Sequence, residues 1–241
     1  MLAAGRGSRL GALGDATPKW LLRVAGRTLA DRQLEGIARA GGSVASTRVV
    51  VGHAAEGIEA ELAGRPQEVG VVANPEYAEL NNWWSLLRAL RELPADGPIV
   101  LLNADLLVEP EHVAAFIEEA AAGAADGLLA IDLVKPLTDE SMKVSLTSEQ
   151  TLARIGKVAI DTPAGEYVGM LMARGAVLRR LRAVLEGFVG RPDAVNEWYE
   201  GAIGQTAAAG VPWHVWAMAP GAWLEIDDDA DLELAQSLAA A

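Results

Sequence analysis

The first half of the chain alternates between two kinds of hydrophobic pattern. Short runs rich in β-branched residues, bounded by turn residues, predict buried strands at 48–52, 69–73 and 99–103. Between them, apolar residues recur at helical spacing near 28–40, 54–63 and 80–93. Strands that alternate with helices pair in parallel through right-handed crossovers. The pattern therefore predicts an α/β fold, a three-layer α/β/α arrangement around a mixed, mainly parallel central sheet.

The second half of the chain has a different rhythm. Four predicted strands follow one another closely, at 127–133, 142–146, 152–160 and 166–173. Such close spacing leaves little room for crossover helices, so we expect a mixed or antiparallel extension of the sheet. Further on, the pattern predicts helices at 174–187, 194–209 and 229–239, and strands at 213–218 and 223–226.

Composition narrows the class of protein. The 241 residues, 51% hydrophobic and 22% charged, are enough for a full core and are typical of a globular domain. No apolar run approaches the ~20 residues of a membrane span, and the N-terminus meets Gly5 and Arg6 too early for a signal peptide. The chain has no cysteine, which excludes disulfides, thiolate metal sites and cysteine nucleophiles. We expect a cytoplasmic enzyme without a membrane partner.

Charge is distributed unevenly along the chain. The net charge of −13 disfavours binding to nucleic acid. Residues 1–48, however, hold eight Lys and Arg against three Asp and Glu, whereas residues 49–241 hold twelve against thirty. A local basic excess on an acidic protein suits one anionic ligand; chance clustering on a helix is the alternative.

The basic segment contains a glycine-rich turn. Gly5 and Gly7 have no Cβ, so their backbone N–H groups can approach phosphate oxygens closely, and Arg9 and Lys19 add fixed positive charge. A P-loop is excluded because the chain has no Gly-Lys-Ser/Thr. An NAD-dependent dehydrogenase is disfavoured because Leu10 stands where the dinucleotide fingerprint needs its third glycine. The residues thus predict a phosphate-binding loop of another kind.

This loop matches a longer signature, L-A-A-G-x-G-x-R-L, then Pro-Lys, then L-L-x-V-x-G. The chain has LAAGRGSRL at 2–10, PK at 18–19 and LLRVAG at 21–26. The segment resembles the nucleotidyltransferases with a GT-A-like, Rossmann-like fold, the sugar-phosphate nucleotidylyltransferase superfamily. The resemblance implies a nucleotide-binding loop formed by Leu2, Ala3, Ala4, Gly5, Gly7, Arg9 and Lys19. Apolar strand residues normally precede this signature, whereas only Met1 does here, so we expect either residues upstream of Met1 or a truncated first strand.

Acidic residues follow two predicted strands. Asp105 comes just after the strand at 99–103, at the carboxyl end where ligands bind in open α/β sheets, and it is a natural Mg²⁺ ligand. A turn or N-cap aspartate is the alternative. Strand alternation places Glu225 and Asp227 on one face, while Asp228, Asp229 and Asp231 suit a helix start. The resemblance makes Asp105 and Asp227 the ligands of Mg²⁺, the predicted cofactor, with Glu225 as a ligand to a second ion.

Several further segments resemble elements of the cytidylyltransferase-like branch. They are N-N-x-x-S-L at 81–86, M-K-V at 142–144, G-E-x-x-G at 165–169 and a W-Y-E helix at 198–200. The resemblance implies that Asn82 and Ser85 bind the nucleotide, with Asp105. It makes Lys143 a catalytic lysine, and it implies an acceptor site formed by Asn81, Trp84, Lys157, Glu166, Trp198 and Tyr199. The alternatives are an N-cap for Asn82 and solvated edge positions for the lysines.

The chain has seven tryptophans and only two phenylalanines. Aromatic rings flanked by carboxylates can bind a quaternary ammonium, and Trp84, Trp198, Tyr199 and Trp213 are candidates for such a site. Core packing is the alternative for each of them.

Taken together, the resemblance implies one nucleotidyltransferase domain over 1–241. Residues 1–126 would form its nucleotide-binding half, and 127–241 its acceptor-binding half with the second metal ligand. The predicted partners are a nucleoside triphosphate, CTP favoured, and a small phosphate or phosphonate acceptor such as phosphocholine, with release of pyrophosphate; a homo-oligomer is compatible with the sequence. Two alternatives are open: a uridylyl- or thymidylyltransferase that acts on a sugar 1-phosphate, and a non-catalytic regulatory subunit that retains the fold.

Overall fold

A computed structural model describes residues 1–95 and 97–239. It has the mixed α/β architecture that the sequence predicts, with parallel strand pairing in the first part of the chain. Contacts divide the chain into two compact units, each discontinuous in sequence. The first unit comprises 1–79, 102–121 and the residues from 222 onward, and the second comprises 80–101 and 122–221. The single domain predicted over 1–241 stays a prediction, and each unit is described by itself.

Short strands and medium-length helices make up both units. The strands, in chain order, are β1 (Leu2–Ala3), β2 (Arg23–Val24), β3 (Arg27–Thr28), β4 (Thr47–Val51), β5 (Val69–Ala73), β6 (Ile99–Leu102), β7 (Leu106–Val108), β8 (Gly127–Asp132), β9 (Lys143–Leu146), β10 (Leu152–Gly156), β11 (Gly165–Ala173), β12 (His214–Ala217) and β13 (Trp223–Glu225). The α-helices are α1 (Gly11–Ala16), α2 (Leu29–Arg39), α3 (Ala55–Ala63), α4 (Asn82–Glu92), α5 (Pro110–Ala122), α6 (Gly175–Phe188), α7 (Tyr199–Ala208) and α8 (Asp229–Ala239). Among the described residues, no helix is both long enough and apolar enough to cross a membrane.

The first unit contains a three-stranded parallel sheet in the order β1-β4-β5. Leu2 pairs with Val50, and Thr47 pairs with Val69. A separate antiparallel pair joins β7 to β13, with Trp223 opposite Val108. The glycine loop, which follows β1, and the segment after β13 both belong to this unit.

Helix α2 is held in the first unit by an N-terminal capping box and by a close contact with α5. It begins at a capping box, in which Thr28 Oγ1 accepts from Asp31 N at 2.9 Å and Asp31 Oδ2 accepts from Thr28 N at 2.7 Å. A Cβ at Gly36 would lie 2.5 Å from Val113 Cβ of α5. Only glycine therefore lets α2 and α5 approach this closely.

The second unit contains a sheet in the order β10-β9-β11-β8-β12, and β6 pairs with β11. Pairing is antiparallel from β10 to β8 and parallel between β8 and β12, which agrees with the mixed extension expected there. All nine residues of β11 are buried. Helices α4, α6 and α7 pack on one another, with Trp83 set edge-on against Phe188 at 5.5 Å between ring centroids.

The structure confirms most predicted elements and differs from the prediction at several places. The strand predicted at 152–160 ends at Gly156, where residues 157–158 bend away. The helix predicted at 194–209 begins at Tyr199, because Trp198 is extended with φ −106° and ψ 155°. Helix α5 was not predicted, although Val113, Phe116 and Ile117 are buried at helical spacing. The strand before the glycine loop is two residues long, which agrees with the truncated first strand that the sequence analysis offers as an alternative.

Candidate active site

The glycine loop leaves β1 and enters a 3₁₀ turn at Ser8–Leu10 and then α1. Gly7 has φ +62°, and a Cβ there would lie 3.2 Å from Lys19 Cγ. Gly14 of α1 passes so close to Gly7 O that a Cβ would clash with it. The loop is thus closely folded on itself, with the stem of Lys19 packed against it.

His53, to which the sequence assigns no role, supports this loop from behind. Its backbone N donates to Ala4 O at 3.1 Å, and its Nε2 lies 3.1 Å from Gly14 O and 3.2 Å from Asp15 O. Carbonyl oxygens only accept, so Nε2 must carry the proton. No motif around His53 signals this contact, which arises from tertiary packing.

Three acidic residues come together at the ends of β7 and β13. Ile226 N donates to Asp105 O at 3.0 Å, and Glu225 pairs with Leu106, so the two strands place Asp227 beside Asp105. Asp105, Glu225 and Asp227 each offer a carboxylate oxygen, and these oxygens lie within 4.8 Å of one another. The structure therefore brings the three predicted metal ligands into one cluster, here called the carboxylate cluster.

The two predicted phosphate-binding cations lie on this cluster. Lys19 Nζ forms an ion pair with Asp227 Oδ1 and lies 3.5 Å from Asp105 Oδ2. Arg9 also forms an ion pair with Asp227. The Lys19 side chain is 15% exposed and that of Arg9 is 52% exposed. The cations predicted to bind phosphate and the carboxylates predicted to bind metal thus share one site in the first unit.

Burial and charge perturb this site strongly. Burial raises the pKa of Asp105, and repulsion from Asp227 adds to this, against the attraction of Lys19. Burial by itself would lower the pKa of Lys19, but Asp105 and Asp227 outweigh it, so that pKa is raised. Asp105 Oδ1 is buried without a hydrogen-bond partner among the described residues. A carboxylate oxygen of this kind, next to two further carboxylates, fits an oxygen-ligated cation such as Mg²⁺.

The neighbouring acids have the structural role that the sequence predicts. Asp231 Oδ2 accepts from Asp227 N at 2.9 Å and from Asp228 N at 3.2 Å, and Asp228 Oδ1 accepts from Asp231 N at 3.0 Å. Asp228 thus caps the start of α8 through the N–H of Asp231, and Asp231 bonds back to the residues that precede the helix. These bonds also fix the backbone of Asp227, which carries its carboxylate into the cluster.

In the second unit, Asn81 and Asn82 form caps at two helix starts. Asn81 is the N-cap of α4, and its Oδ1 accepts from Asn82 N at 2.8 Å. Asn82 Oδ1 accepts from Tyr199 N at 2.9 Å, at the start of α7, and Asn82 Nδ2 lies 3.4 Å from Glu200 Oε2. The cap predicted as the alternative for Asn82 therefore exists, but on another helix. Ser85 is a buried residue of α4.

The lysines of the second unit have partners among strands and loops. Lys143 Nζ donates to Lys157 O at 2.9 Å, and Lys157 Nζ donates to Glu140 Oε2 at 2.9 Å. Glu166 is only 5% exposed, and Lys135 Nζ lies 3.1 Å from its Oε2. Lys135 was not singled out in the sequence, where it follows β8 in an unremarkable D-L-V-K-P run. The structure thus gathers three lysines and a buried carboxylate near one end of this sheet.

The four aromatic candidates for a quaternary ammonium site do not form one cage. Tyr199 and Trp213 are fully buried; Tyr199 OH lies 3.2 Å from Tyr167 OH, and Trp213 Nε1 donates to Thr206 Oγ1 at 2.8 Å. Trp84 lies beneath the guanidinium groups of Arg88 and Arg91, 5.7 and 5.2 Å from its ring centroid. Lys157 Nζ lies 5.0 Å from the Trp198 ring centroid. Core packing thus holds for two, and the other two already face cations; their acceptor roles stay predictions.

Comparisons with known proteins agree with this picture. The model of the MobA-like NTP transferase domain matches residues 1–188. The CMP-5'-(3-aminopropyl)phosphonate synthase of Streptomyces rubellomurinus is 33% identical over 96% of this chain and 37% of its own length. The bifunctional IPC transferase and DIPP synthase of Rubrobacter xylanophilus is 30% identical over 99% of this chain and 51% of its own length. The chain therefore spans only about half or less of either relative.

A solved structure shows the same fold. The CTP:phosphocholine cytidylyltransferase of Streptococcus pneumoniae superposes with a TM-score of 0.75 at 18% identity, over 98% of this chain and 96% of the other. At this identity the likeness shows the fold alone.

Proposed function

The chain belongs to the MobA-like NTP transferase domain family, and on that premise we propose that it is a Mg²⁺-dependent cytidylyltransferase. It would transfer the cytidylyl group of CTP to a small phosphate or phosphonate acceptor and release pyrophosphate. The observation that carries this proposal is the carboxylate cluster with Lys19 and Arg9 on it, at the glycine loop.

The glycine loop, Arg9 and Lys19 would bind the triphosphate. In the structure, Arg9 and Lys19 both pair with Asp227, so both cations already lie beside the carboxylate oxygens of the site. Phosphate oxygens would replace the Asp227 oxygens as partners of the two cations. The charge of the departing pyrophosphate would then be neutralised by groups already in position.

Mg²⁺, held by Asp105 and Asp227 with Glu225 as a further ligand, would neutralise the charge on the phosphates. The buried Asp105 oxygen without a partner and the carboxylates within 4.8 Å support this assignment. The acceptor needs no general base, because a phosphate monoester with a second pKa near ~6 is largely dianionic at neutral pH. We assign Lys143 of the second unit to the acceptor phosphate.

The acceptor class that we propose is supported by the printed names of two similar proteins. Aminopropyl phosphonate appears in the name of one relative, and phosphocholine in that of the solved structure. Both are small molecules with one phosphorus group and one cationic nitrogen. In the second unit, the nearly buried carboxylate of Glu166 already pairs with the ammonium of Lys135 at 3.1 Å, so a cationic nitrogen can be held at this place. We therefore propose a zwitterionic aminoalkyl phosphate or phosphonate as the acceptor. The cytoplasmic location expected from the sequence stays a prediction.

A two-way panel tests this function. The protein is incubated with Mg²⁺ and CTP, UTP or dTTP, each with an aminoalkyl phosphonate, phosphocholine, an inositol phosphate or a sugar 1-phosphate, and pyrophosphate release is recorded. We expect release with CTP and the zwitterionic acceptors, and none from Asp105→Ala with any pair. Activity confined to UTP or dTTP with sugar 1-phosphates would select that alternative, and full activity of Asp105→Ala would refute the proposed metal site. Tight CTP binding without turnover across the panel would favour the non-catalytic subunit.

A further inference from the structure

Gln33 is a fully buried polar residue of α2 whose side-chain hydrogen bonds all leave its own helix. Its Nε2 donates to Asn103 O at 2.9 Å and to Leu106 O at 3.0 Å. Its Oε1 accepts from Trp20 Nε1 at 3.0 Å. An indole N–H only donates and a carbonyl only accepts, so these partners determine the orientation of the amide.

The three partners of Gln33 are close in sequence to Asp105 or to Lys19. Residues 103 and 106 flank Ala104 and Asp105, so the amide holds both ends of the turn that carries Asp105. Trp20 follows Lys19 in the 3₁₀ turn Lys19–Leu21 and is itself fully buried. One side chain therefore joins the turn that presents the cation to the turn that presents the carboxylate.

Gln33 meets a structural need, because an apolar side chain of the same volume would leave the Trp20 indole N–H and two carbonyls without this partner. Two of its bonds are made to carbonyls on either side of Asp105, in the connection between β6 and β7. The amide thus adds to the backbone hydrogen bonds that hold this connection, such as the one from Ile226 N to Asp105 O. Its position next to Asp105 also allows a role in the site itself.

We propose that Gln33 is a positioning residue for nucleotidyl transfer. Its hydrogen bonds fix the position of Asp105 relative to Lys19. The inference rests on the proposed function, since it assigns to Gln33 the geometry of that same site. Carboxylate ligands need support to hold their productive geometry, and loss of such support lowers metal affinity or activity by about 10- to 100-fold.

The test compares three variants. Gln33→Met keeps the volume and removes all three bonds, and Trp20→Phe removes only the bond to Oε1. Thr206→Val is the matched control, because it leaves another buried indole, Trp213 Nε1, without its partner in the second unit. For each protein we measure the thermal midpoint, the affinity for Mg²⁺ alone by calorimetry, and kcat and KM with CTP and acceptor.

We expect Gln33→Met to weaken Mg²⁺ affinity and lower kcat by about 10- to 100-fold, with the KM for acceptor unchanged. Trp20→Phe shifts the same quantities in the same direction by less. Thr206→Val lowers the thermal midpoint but keeps wild-type Mg²⁺ affinity and kcat. If Gln33→Met folds with wild-type affinity and kcat, the inference is wrong. If Gln33→Met does not fold, Trp20→Phe decides by the same criterion. Failure of the wild-type protein itself to bind Mg²⁺ and turn over would refute the proposed function, and the inference with it.

Discussion

Replacing Asp105 by asparagine should separate the stability of the fold from its proposed activity. Asp105 is a partly buried carboxylate, with 26% of its side chain exposed, between one cation and two other carboxylates. Asparagine keeps the shape of the side chain and removes its charge. We therefore expect Asp105→Asn to abolish cytidylyl transfer and yet raise the stability of the metal-free protein.

The magnitude follows from the distances. At an effective dielectric constant of about 20, Lys19 Nζ at 3.5 Å attracts the Asp105 carboxylate by about 5 kcal/mol. Glu225 and Asp227 offer oxygens within 4.8 Å of it, and each repels it by at least about 3.5 kcal/mol. Once solvent around the exposed Glu225 is counted, attraction and repulsion nearly cancel, and the cost of burying the charge, about 2–3 kcal/mol, decides the sign, in agreement with the raised pKa of Asp105. Solvent screening at the exposed edge reduces this cost to about 1–2 kcal/mol.

The assay is thermal unfolding in EDTA at neutral pH, followed by the same measurement in Mg²⁺. For a chain of this size, 1–2 kcal/mol raises the midpoint by roughly 2–8 °C. Asp193→Asn is the control, because Asp193 forms an exposed ion pair with Arg191 and loses the same charge. Its midpoint should stay near that of the wild type. Mg²⁺ should raise the wild-type midpoint but not that of Asp105→Asn. A lower midpoint for Asp105→Asn in EDTA would show that attraction by Lys19 dominates, and would refute this reasoning.

Two further predictions concern the frame around the site. Gly36→Ala should lower stability by about 1–3 kcal/mol, because its Cβ would lie 2.5 Å from Val113 Cβ. Gly187→Ala, which has open space around it in α6, should raise stability by roughly 0.5–1 kcal/mol. Thermal midpoints measure both changes, and equal midpoints for the two variants would contradict the close packing of α2 on α5. Burial by itself would raise the pKa of Asp31, but hydrogen bonds from Thr28 and Arg65 lower this pKa from 3.8 to about 2. The ionised carboxylate therefore stabilises the fold above pH 3.8, and this contribution is lost as pH falls through about 2. Because Asp31 is partly exposed, Asp31→Asn should cost about 1 kcal/mol at pH 7 and clearly less near pH 2 in urea unfolding; a cost that does not change with pH would contradict this assignment.

Much of the fold could be predicted from local patterns. β-branched runs marked β4, β5 and β6, although β5 is not the buried strand expected there, since only its Val72 is buried, and apolar spacing marked α2, α3 and α4. Helix α5 was missed although its buried residues have helical spacing. The start of α7 depends on Asn82, which lies 117 residues earlier and accepts from Tyr199 N. A tertiary cap of this kind leaves no signal next to the helix that it begins.

The candidate site likewise contains residues that have a local sequence signal and residues that depend on tertiary contacts. The glycine loop, Asp105 and the acidic segment after β13 could be identified because each stands in a contiguous motif, and the structure gathers Lys19, Asp105 and Asp227. His53 and Gln33 could not be found in this way. Apart from the Trp20 indole, the side-chain partners of His53 and Gln33 are backbone carbonyls, which every residue type offers, so little partner sequence is required.

The most direct test of the proposed function follows the α-phosphorus of CTP. The protein is incubated with Mg²⁺, an aminoalkyl phosphonate and CTP labelled at the α-phosphorus, and the products are separated and identified by mass. We predict that the label appears in a CMP-linked acceptor in an amount equal to the pyrophosphate released, and that Asp105→Ala forms neither product. Label found only in free CMP, or retained in CTP across all acceptors, would contradict this prediction.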